Sequence, residues 1–136
     1  MKRIEYFELM TELFCFKTIE DELGNEYVLF AQSRVDSIEN ITDRTEFEAL
    51  ENHIHLIDNV KKDEFERLIP VAKTLGETLL TCLKTQYPEK NFVVYVSLHL
   101  RDSMIIRFHQ KWENEMPYYN PADFQSEREK VFAFEA

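Results

Sequence analysis

The clearest alternation of apolar and polar residues lies in the C-terminal half of the chain, on both sides of Asp102. Residues 92–100 and 103–111 each alternate along their length, as expected for two antiparallel strands that form a hairpin. A loop centred on Asp102 would pair Val96 with Phe108 and would place the apolar residues of both strands on one face. The pattern therefore predicts a hairpin with one face in the core.

Two helices are predicted to accompany this hairpin. Residues 64–86 carry leucine and alanine at helical spacing, and Asp63 is a suitable N-cap. Residues 3–22 also show apolar residues at helical spacing. Residues 13–19 are nevertheless rich in strand formers, so a β-hairpin that turns near Gly24 is the alternative for the end of this segment.

Shorter elements fill the middle of the chain. Residues 27–31 and 52–58 are predicted strands, the second because it alternates. Between them the sequence is polar and acidic, and we expect loops around one short helix near residues 45–51. Thr45 would cap that helix, with Glu48 three residues later as its capping-box partner.

The order of these elements predicts an α+β protein. A strand, a helix and two further strands between residues 52 and 112 imply a crossover connection followed by an antiparallel partner. We expect a mixed or antiparallel sheet in which one face is covered by the helix of residues 64–86 and by the N-terminal helix. At this length, residues 1–136 are expected to form a single domain.

The opposite face of the predicted sheet carries polar side chains. The register above places Tyr95 across from His109, and Ser97 across from Arg107. If the apolar residues of the strand at 52–58 point into the core, its two histidines emerge on this polar face. All four histidines of the chain would then share one side of the sheet: His53, His55, His99 and His109.

Metal binding and acid–base catalysis are the two chemistries that this face suggests. His53 and His55 form a His-x-His pair that suits a metal. His99 and His109 lie ~13 Å apart along the hairpin, so only one of them could be a third ligand. His109 could also act as a general acid or base. The chain has only two glycines and no phosphate-binding loop, nucleophile elbow or dinucleotide motif. We therefore predict no metal and no cofactor, and binding is favoured over catalysis.

Residues 112–119 contain a tryptophan, a proline and two tyrosines. An exposed aromatic loop would be a recognition site, since Trp and Tyr are enriched where partners bind. The favoured interpretation is that these residues fold back to close the end of the core. A short helix capped by Asn120 is expected to follow, with Pro121 at its first position.

The charge of the chain limits its partners. There are 26 acidic and 16 basic residues, which give a net charge of −10. The excess is concentrated in residues 20–66, where 14 acids accompany 4 bases. Because the chain has no basic footprint for phosphates, nucleic acid is excluded as a partner and a basic protein surface is favoured.

Location and redox state are predicted from what the sequence lacks. No apolar run of about 18 residues and no signal peptide is visible, so a cytoplasmic protein without membrane contact is expected. Cys15 and Cys82 lie in apolar surroundings without a disulfide framework. We expect both to be buried, reduced thiols.

These features resemble the small acidic immunity proteins with which bacteria neutralise a toxin. The resemblance depends on size, the acid-rich stretch Glu20–Glu66, the absence of catalytic motifs and the strand–helix–hairpin from Asn52 to Trp112. It implies binding to the basic or catalytic surface of a toxin by electrostatic and shape complementarity.

We therefore expect a non-enzymatic intracellular binding protein of the immunity or inhibitor type. Its acidic surface, including Glu46, Glu48 and Glu51, would meet a basic protein partner. The alternative is a small ligand-binding or hydrolytic domain that uses the polar sheet face. Its candidate residues are Tyr95, Arg107, His109, His53 and His55. The sequence predicts no oligomeric state.

Overall fold

A computed structural model gives the fold of residues 2–136. In chain order the elements are α1 (Lys2–Phe14), β1 (Phe16–Glu20), β2 (Glu26–Phe30), α2 (Arg44–Glu51), β3 (His53–Ile57), α3 (Lys62–Gln86), β4 (Phe92–His99), β5 (Met104–Gln110), a 3-10 helix (Pro121–Phe124) and β6 (Glu129–Glu135). The predicted α+β class is confirmed, and so is the hairpin in the C-terminal half. None of the helices within residues 2–136 combines the length and the apolar character needed to cross a membrane.

Within the described residues the strands form two antiparallel sheets. The larger sheet has the order β3-β5-β4-β6, and the smaller one is the β1–β2 hairpin. Since β5 lies antiparallel between them, β3 and β4 run in the same direction, and α3 makes the predicted crossover. Strand β6 was not predicted, although it pairs with β4 from Val93–Glu135 to His99–Glu129.

One face of the larger sheet packs against α3. The β4–β5 hairpin sends alternate residues into this core: Phe92, Val94, Val96, Leu98, Met104, Ile106 and Phe108. The buried stripe of α3 that meets them contains Phe65, Ala72, Leu79 and Leu83. Gly76 lies among the buried residues of α3, and a Cβ atom there would overlap the ring of Phe134 on β6. The helix therefore covers this face, as predicted.

The hairpin register differs from the predicted one by two residues. Val96 pairs with Ile106 rather than with Phe108. The turn is centred on Arg101, which has a left-handed φ of 62°, and not on Asp102. Because the shift is even, each residue keeps its predicted face, and only the cross-strand neighbours change.

The N-terminal segment is a helix followed by a hairpin, so the helix predicted over residues 3–22 is too long. α1 ends at Phe14, and β1 takes the strand formers that follow. The Asp21 carboxylate accepts hydrogen bonds from the backbone N–H groups of Leu23 and Asn25, both at 2.9 Å. Gly24 has a φ of 84°, which suits glycine in this turn. The alternative hairpin interpretation is therefore correct for the end of this segment.

Two cysteines expected in the core lie nearer the surface. Cys15 is exposed at the junction of α1 and β1, and Cys82 is only partly buried on α3. α1 itself buries Leu13, whereas an apolar stripe on its outer side is more than half exposed. That stripe consists of Ile4, Tyr6, Phe7 and Met10.

The two central helices use different caps from those predicted. The N-cap of α2 is Asp43, whose side chain accepts a first-turn N–H at 2.9 Å, while Thr45 lies inside the helix. α3 begins one residue before Asp63, and the Glu64 carboxylate accepts the N–H of Lys61 at 3.0 Å. Both helices still start within a few residues of the expected positions.

Candidate functional site

The polar face of the larger sheet, which lies opposite α3, does contain all four histidines. His53 pairs with Arg107 and His55 pairs with Ile105, so both lie on the face that the hairpin gives to His99 and His109. Their environments differ, however. His53 and His55 are exposed, His99 is partly buried, and His109 is 2% exposed. The face is shared, but the four side chains do not form one site.

The C-terminal segment covers part of this polar face. Tyr118, Tyr119 and Phe124 pack on a small apolar cluster of Val93, Tyr95 and Val131. Met116, within the same segment, remains 83% exposed. The two tyrosines of residues 112–119 therefore fold back onto the protein, but the expected closure of an end of the core is wrong for them, because they pack on the second face of the sheet. The expected short helix follows as the 3-10 helix, with Asn120 as its cap.

His109 and Tyr95 form a hydrogen-bonded pair under this cover. The Tyr95 hydroxyl lies 3.0 Å from His109 Nε2. His109 Nδ1 lies 2.7 Å from the Gln110 carbonyl oxygen, which can only accept, so Nδ1 carries the proton. Nε2 then accepts from the Tyr95 hydroxyl and, at 3.3 Å, from the Tyr118 N–H.

Burial favours the neutral form of this histidine. It lowers the pKa of His109, and burial likewise raises the pKa of the Tyr95 hydroxyl. With both ring nitrogens engaged, His109 has no free nitrogen for a substrate proton. The pair is therefore better suited to holding the C-terminal segment on the sheet than to acid–base catalysis.

A cavity of about 170 Å³ lies beside His109. Its charged lining is paired, since Lys111 lies 3.4 Å from Glu135 and Glu115 lies 2.7 Å from Arg44. The remaining lining residues are Thr45, Val93, Trp112, Met116 and Pro117. The cavity thus offers apolar walls and no unpaired charge.

The His53–His55 pair does not form a three-ligand metal site with the described residues around it, although the Asp58 carboxylate lies 3.7 Å from His55 Nδ1. The two rings have centroids 5.6 Å apart, and His53 Nδ1 lies 2.6 Å from the Leu50 carbonyl oxygen. Within residues 2–136, no three side chains of the metal-binding types lie close enough together to hold an ion.

Arg107 lies next to the histidine pair and is 8% exposed. Its Nη1 donates to the Ala49 carbonyl oxygen at the end of α2, at 3.0 Å. Its guanidinium carbon lies 5.1 Å from the ring centroid of Tyr118 and 5.5 Å from that of Tyr119. Arg107 therefore connects α2 to the segment that covers the sheet.

Glu48 was expected on the acidic surface, and this expectation is wrong, because the side chain is fully buried. Its carboxylate accepts four hydrogen bonds at 2.7–3.0 Å. The donors are Val28 N–H, Gln110 N–H, Gln110 Nε2 and Trp112 Nε1. Glu48 thereby connects β2 to β5. At Val28 and Gln110, the side of each strand that faces Glu48 has no neighbouring strand among residues 2–136.

Asn52 extends this connection along β2. Its side-chain amide donates to the Val28 carbonyl oxygen at 2.8 Å and accepts the Phe30 N–H at 3.0 Å. Side chains from the α2 segment therefore replace the hydrogen bonds that a neighbouring strand would make. The one signal in the sequence was Gln110, a polar residue that interrupts the apolar face of β5.

Burial raises the pKa of the Glu48 carboxyl to about 7, because the charged form loses its hydration. The N–H donors from Gln110, Val28 and Trp112 act in the opposite direction. The group thus titrates near neutrality in the folded protein, while an unburied glutamate titrates near 4.5.

Trp112, the one tryptophan of the chain, should report this titration. Its indole N–H donates to the Glu48 carboxylate at 2.7 Å, so we expect the fluorescence of the folded protein to change with a midpoint near pH 7. Because the folded pKa is the higher one, the stability from this group is complete below pH 4.5 and is lost as the pH rises through about 7. Urea denaturation at several pH values measures that loss. Both transitions should vanish in Glu48→Gln, and a fluorescence change near pH 7 that persists there would contradict their assignment to Glu48.

The other acids of residues 20–66 lie mostly at the surface. Glu46 is exposed, and Glu51 is partly buried and accepts the Ser33 hydroxyl at 2.9 Å. We call the exposed acids of this segment the acidic surface: Glu20, Glu22, Glu26, Asp36, Glu39, Asp43, Glu46, Asp58, Asp63 and Glu66. In the part of the chain that the structure describes, only Glu26 and Asp58 of this set lie within 4.0 Å of a basic side chain.

A cleft of about 220 Å³ opens within the acidic surface. It lies between the β1–β2 turn and the loop that precedes α2, and Glu22 and Glu39 line it. Leu23, on the same rim, is 88% exposed. The cleft thus combines two unpaired carboxylates with an exposed apolar side chain.

Fold and site define an α+β protein whose four-stranded antiparallel sheet is covered by a long helix on one face and, in part, by an aromatic segment on the other. The chain belongs to the Uncharacterized protein PM0498 family, whose model matches residues 5–135. No curated protein and no solved structure is significantly similar to the chain. The family description names no activity.

Proposed function

We propose that this protein is a non-enzymatic intracellular binding protein whose acidic surface meets a basic protein partner, most concretely as an immunity or inhibitor protein. The observation that supports the proposal is that ten acids of residues 20–66 are exposed, and that only two of these lie close to a basic side chain in the described chain. Clustered carboxylates without basic neighbours create a negative electrostatic field, which attracts a basic surface from a distance.

The state of the polar face also favours binding over catalysis. His109, the only candidate base in a buried position among the described histidines, has both ring nitrogens engaged. The exposed pair His53 and His55 forms no cluster of three metal-binding side chains with any other residue of 2–136. These observations leave the acidic surface as the larger candidate for recognition.

A partner recovered from native cell extract would allow a quantitative test. We expect the triple variant Glu22→Lys, Glu39→Lys and Glu46→Lys to slow association at least tenfold at 0.1 M salt, because the attraction is long-ranged. Raising the salt to 1 M should slow wild-type association in the same way, while dissociation changes little. Stopped-flow measurements give both rates.

The matched control reverses three exposed acids outside the acidic surface, at Glu77, Glu89 and Glu127. The change in net charge is the same, so a similar loss in both variants would assign the effect to overall charge. The proposal fails if the acidic-surface variant binds like the wild type.

A further inference from the structure

Arg107 is the only buried lysine or arginine among the basic side chains that the structure describes. A buried charge normally has an oppositely charged partner, because its lost hydration is otherwise uncompensated. In the described part of the chain, no carboxylate lies within 4.0 Å of the Arg107 guanidinium. This is unexpected in a protein with 26 acidic residues.

The groups around Arg107 compensate its charge only in part. The Ala49 carbonyl oxygen accepts from Nη1 at the C-terminal end of α2, where the helix dipole is negative. Tyr118 and Tyr119 place their rings 5.1 and 5.5 Å from the guanidinium carbon and attract the cation with their π electrons. Nε is buried and has no hydrogen-bond partner among the described residues.

The unpartnered nitrogen determines the kind of ligand that would fit. In a guanidinium, Nε–H and one Nη2–H point in the same direction from one edge, and together they match the two oxygens of a carboxylate or phosphate. Nη1, which Ala49 occupies, is not part of that edge. His53 lies directly across from Arg107 on β3. Its Nδ1 is held at the Leu50 carbonyl oxygen, so Nε2 is the ring nitrogen that remains for a ligand.

We propose that Arg107, together with His53, Tyr118 and Tyr119, forms a binding site for an oxyanion group, either a carboxylate or a phosphate. The site lies on the polar face, between the tyrosines of the C-terminal segment and the exposed His53. It is separate from the acidic surface, and it goes beyond the function proposed above.

The wild-type protein allows a direct test with simple anions. Inorganic phosphate and acetate are titrated against sodium chloride at constant ionic strength, and the Arg107 Nε–H resonance is followed by ¹H–¹⁵N NMR. We expect a saturable shift of this resonance, together with a rise in Tm of roughly 3 °C or more at saturation. The proposal is overturned if phosphate, acetate and the peptide acetyl-glycyl-glycine all fail to give a saturable shift. Arg107 would then act only as a cap of α2.

Two substitutions separate binding from folding. Arg107→Lys keeps the positive charge but removes the planar pair of donors, so we expect anion affinity to fall at least tenfold while the fold is retained. Arg67→Lys, at an exposed position of α3, should bind like the wild type. Equal affinity in wild type and Arg107→Lys would contradict the site.

The source of the oxyanion is distinguished by a further pair of probes. Acetyl-glycyl-glycine carries a free C-terminal carboxylate, and its amide does not. Preference for inorganic phosphate over both peptides would indicate a free small anion, whereas binding of the acid peptide and not of its amide would indicate the C-terminus of a protein. These measurements do not involve the acidic surface, so their outcome is independent of the charge-reversal experiment.

Discussion

Glu48→Ala should lower the free energy of unfolding by about 3–5 kcal/mol in urea denaturation at pH 5, below the raised pKa of this group. The substitution removes a fully buried carboxyl group that accepts four N–H groups. Two of these donors belong to the backbone at Val28 and Gln110, and neither has another partner strand at that point. Their hydrogen exchange should therefore accelerate in the variant, which NMR would detect residue by residue.

The matched control is Glu46→Ala, two residues earlier on the same helix. Glu46 is exposed and its carboxylate makes no contact that the core depends on, so we expect a change within about 0.5 kcal/mol. Equal losses in the two variants would mean that Glu48 contributes only through helix propensity and charge. That result would also mean that the hydrogen bonds of Glu48 to β2 and β5 contribute nothing to stability.

Alternation predicted the faces of the strands better than their neighbours. Val96 and Phe108 both lie in the core as expected, because side chains alternate whatever the register. Their predicted pairing was wrong, since it depended on where the turn is centred. Arg101 adopts a left-handed φ of 62°. A glycine or asparagine at this position would have indicated such a turn in the sequence, whereas an arginine does not.

Element boundaries were least predictable where two periodicities overlap. Phe14 and Phe16 fit the apolar spacing of a helix and also that of a strand. The turn signal at Gly24 favours a hairpin there, but it does not show where the helix ends. Strand β6 was missed because its apolar residues, 131–134, form one short continuous run between charged residues and show no alternation. Its pairing with β4 comes from tertiary contact, which local sequence does not encode.

The candidate site was predicted in part. The sequence placed the four histidines and Arg107 on one sheet face, and the structure agrees. It could not indicate that Tyr118 and Tyr119 would cover part of that face, because their position depends on how the chain folds back after Trp112. Nor could it distinguish Glu48 from Glu46, since burial of a single acid within an acidic helix depends on donors from distant strands.

The largest core effect is expected at Phe108, where the two sheets meet. Its ring centroid lies 4.9 Å from that of Phe30, 5.7 Å from that of Phe16 and 6.2 Å from that of Phe92. The side chain is completely buried, so Phe108→Ala leaves a cavity that both sheets line. We expect a loss of about 3–5 kcal/mol in the free energy of unfolding, measured by urea denaturation.

Ile105→Ala, on the same strand but on the opposite face, is the control for this experiment. Ile105 is only partly buried on the polar face, so its truncation should cost about 1 kcal/mol. Phe108→Leu should recover part of the loss, since the leucine refills part of the cavity and cannot reproduce the edge-on contacts with Phe30 and Phe16. A larger loss at Ile105 than at Phe108 would mean that the faces of β5 are exchanged, because a slip of one residue moves every side chain of a strand to the other side.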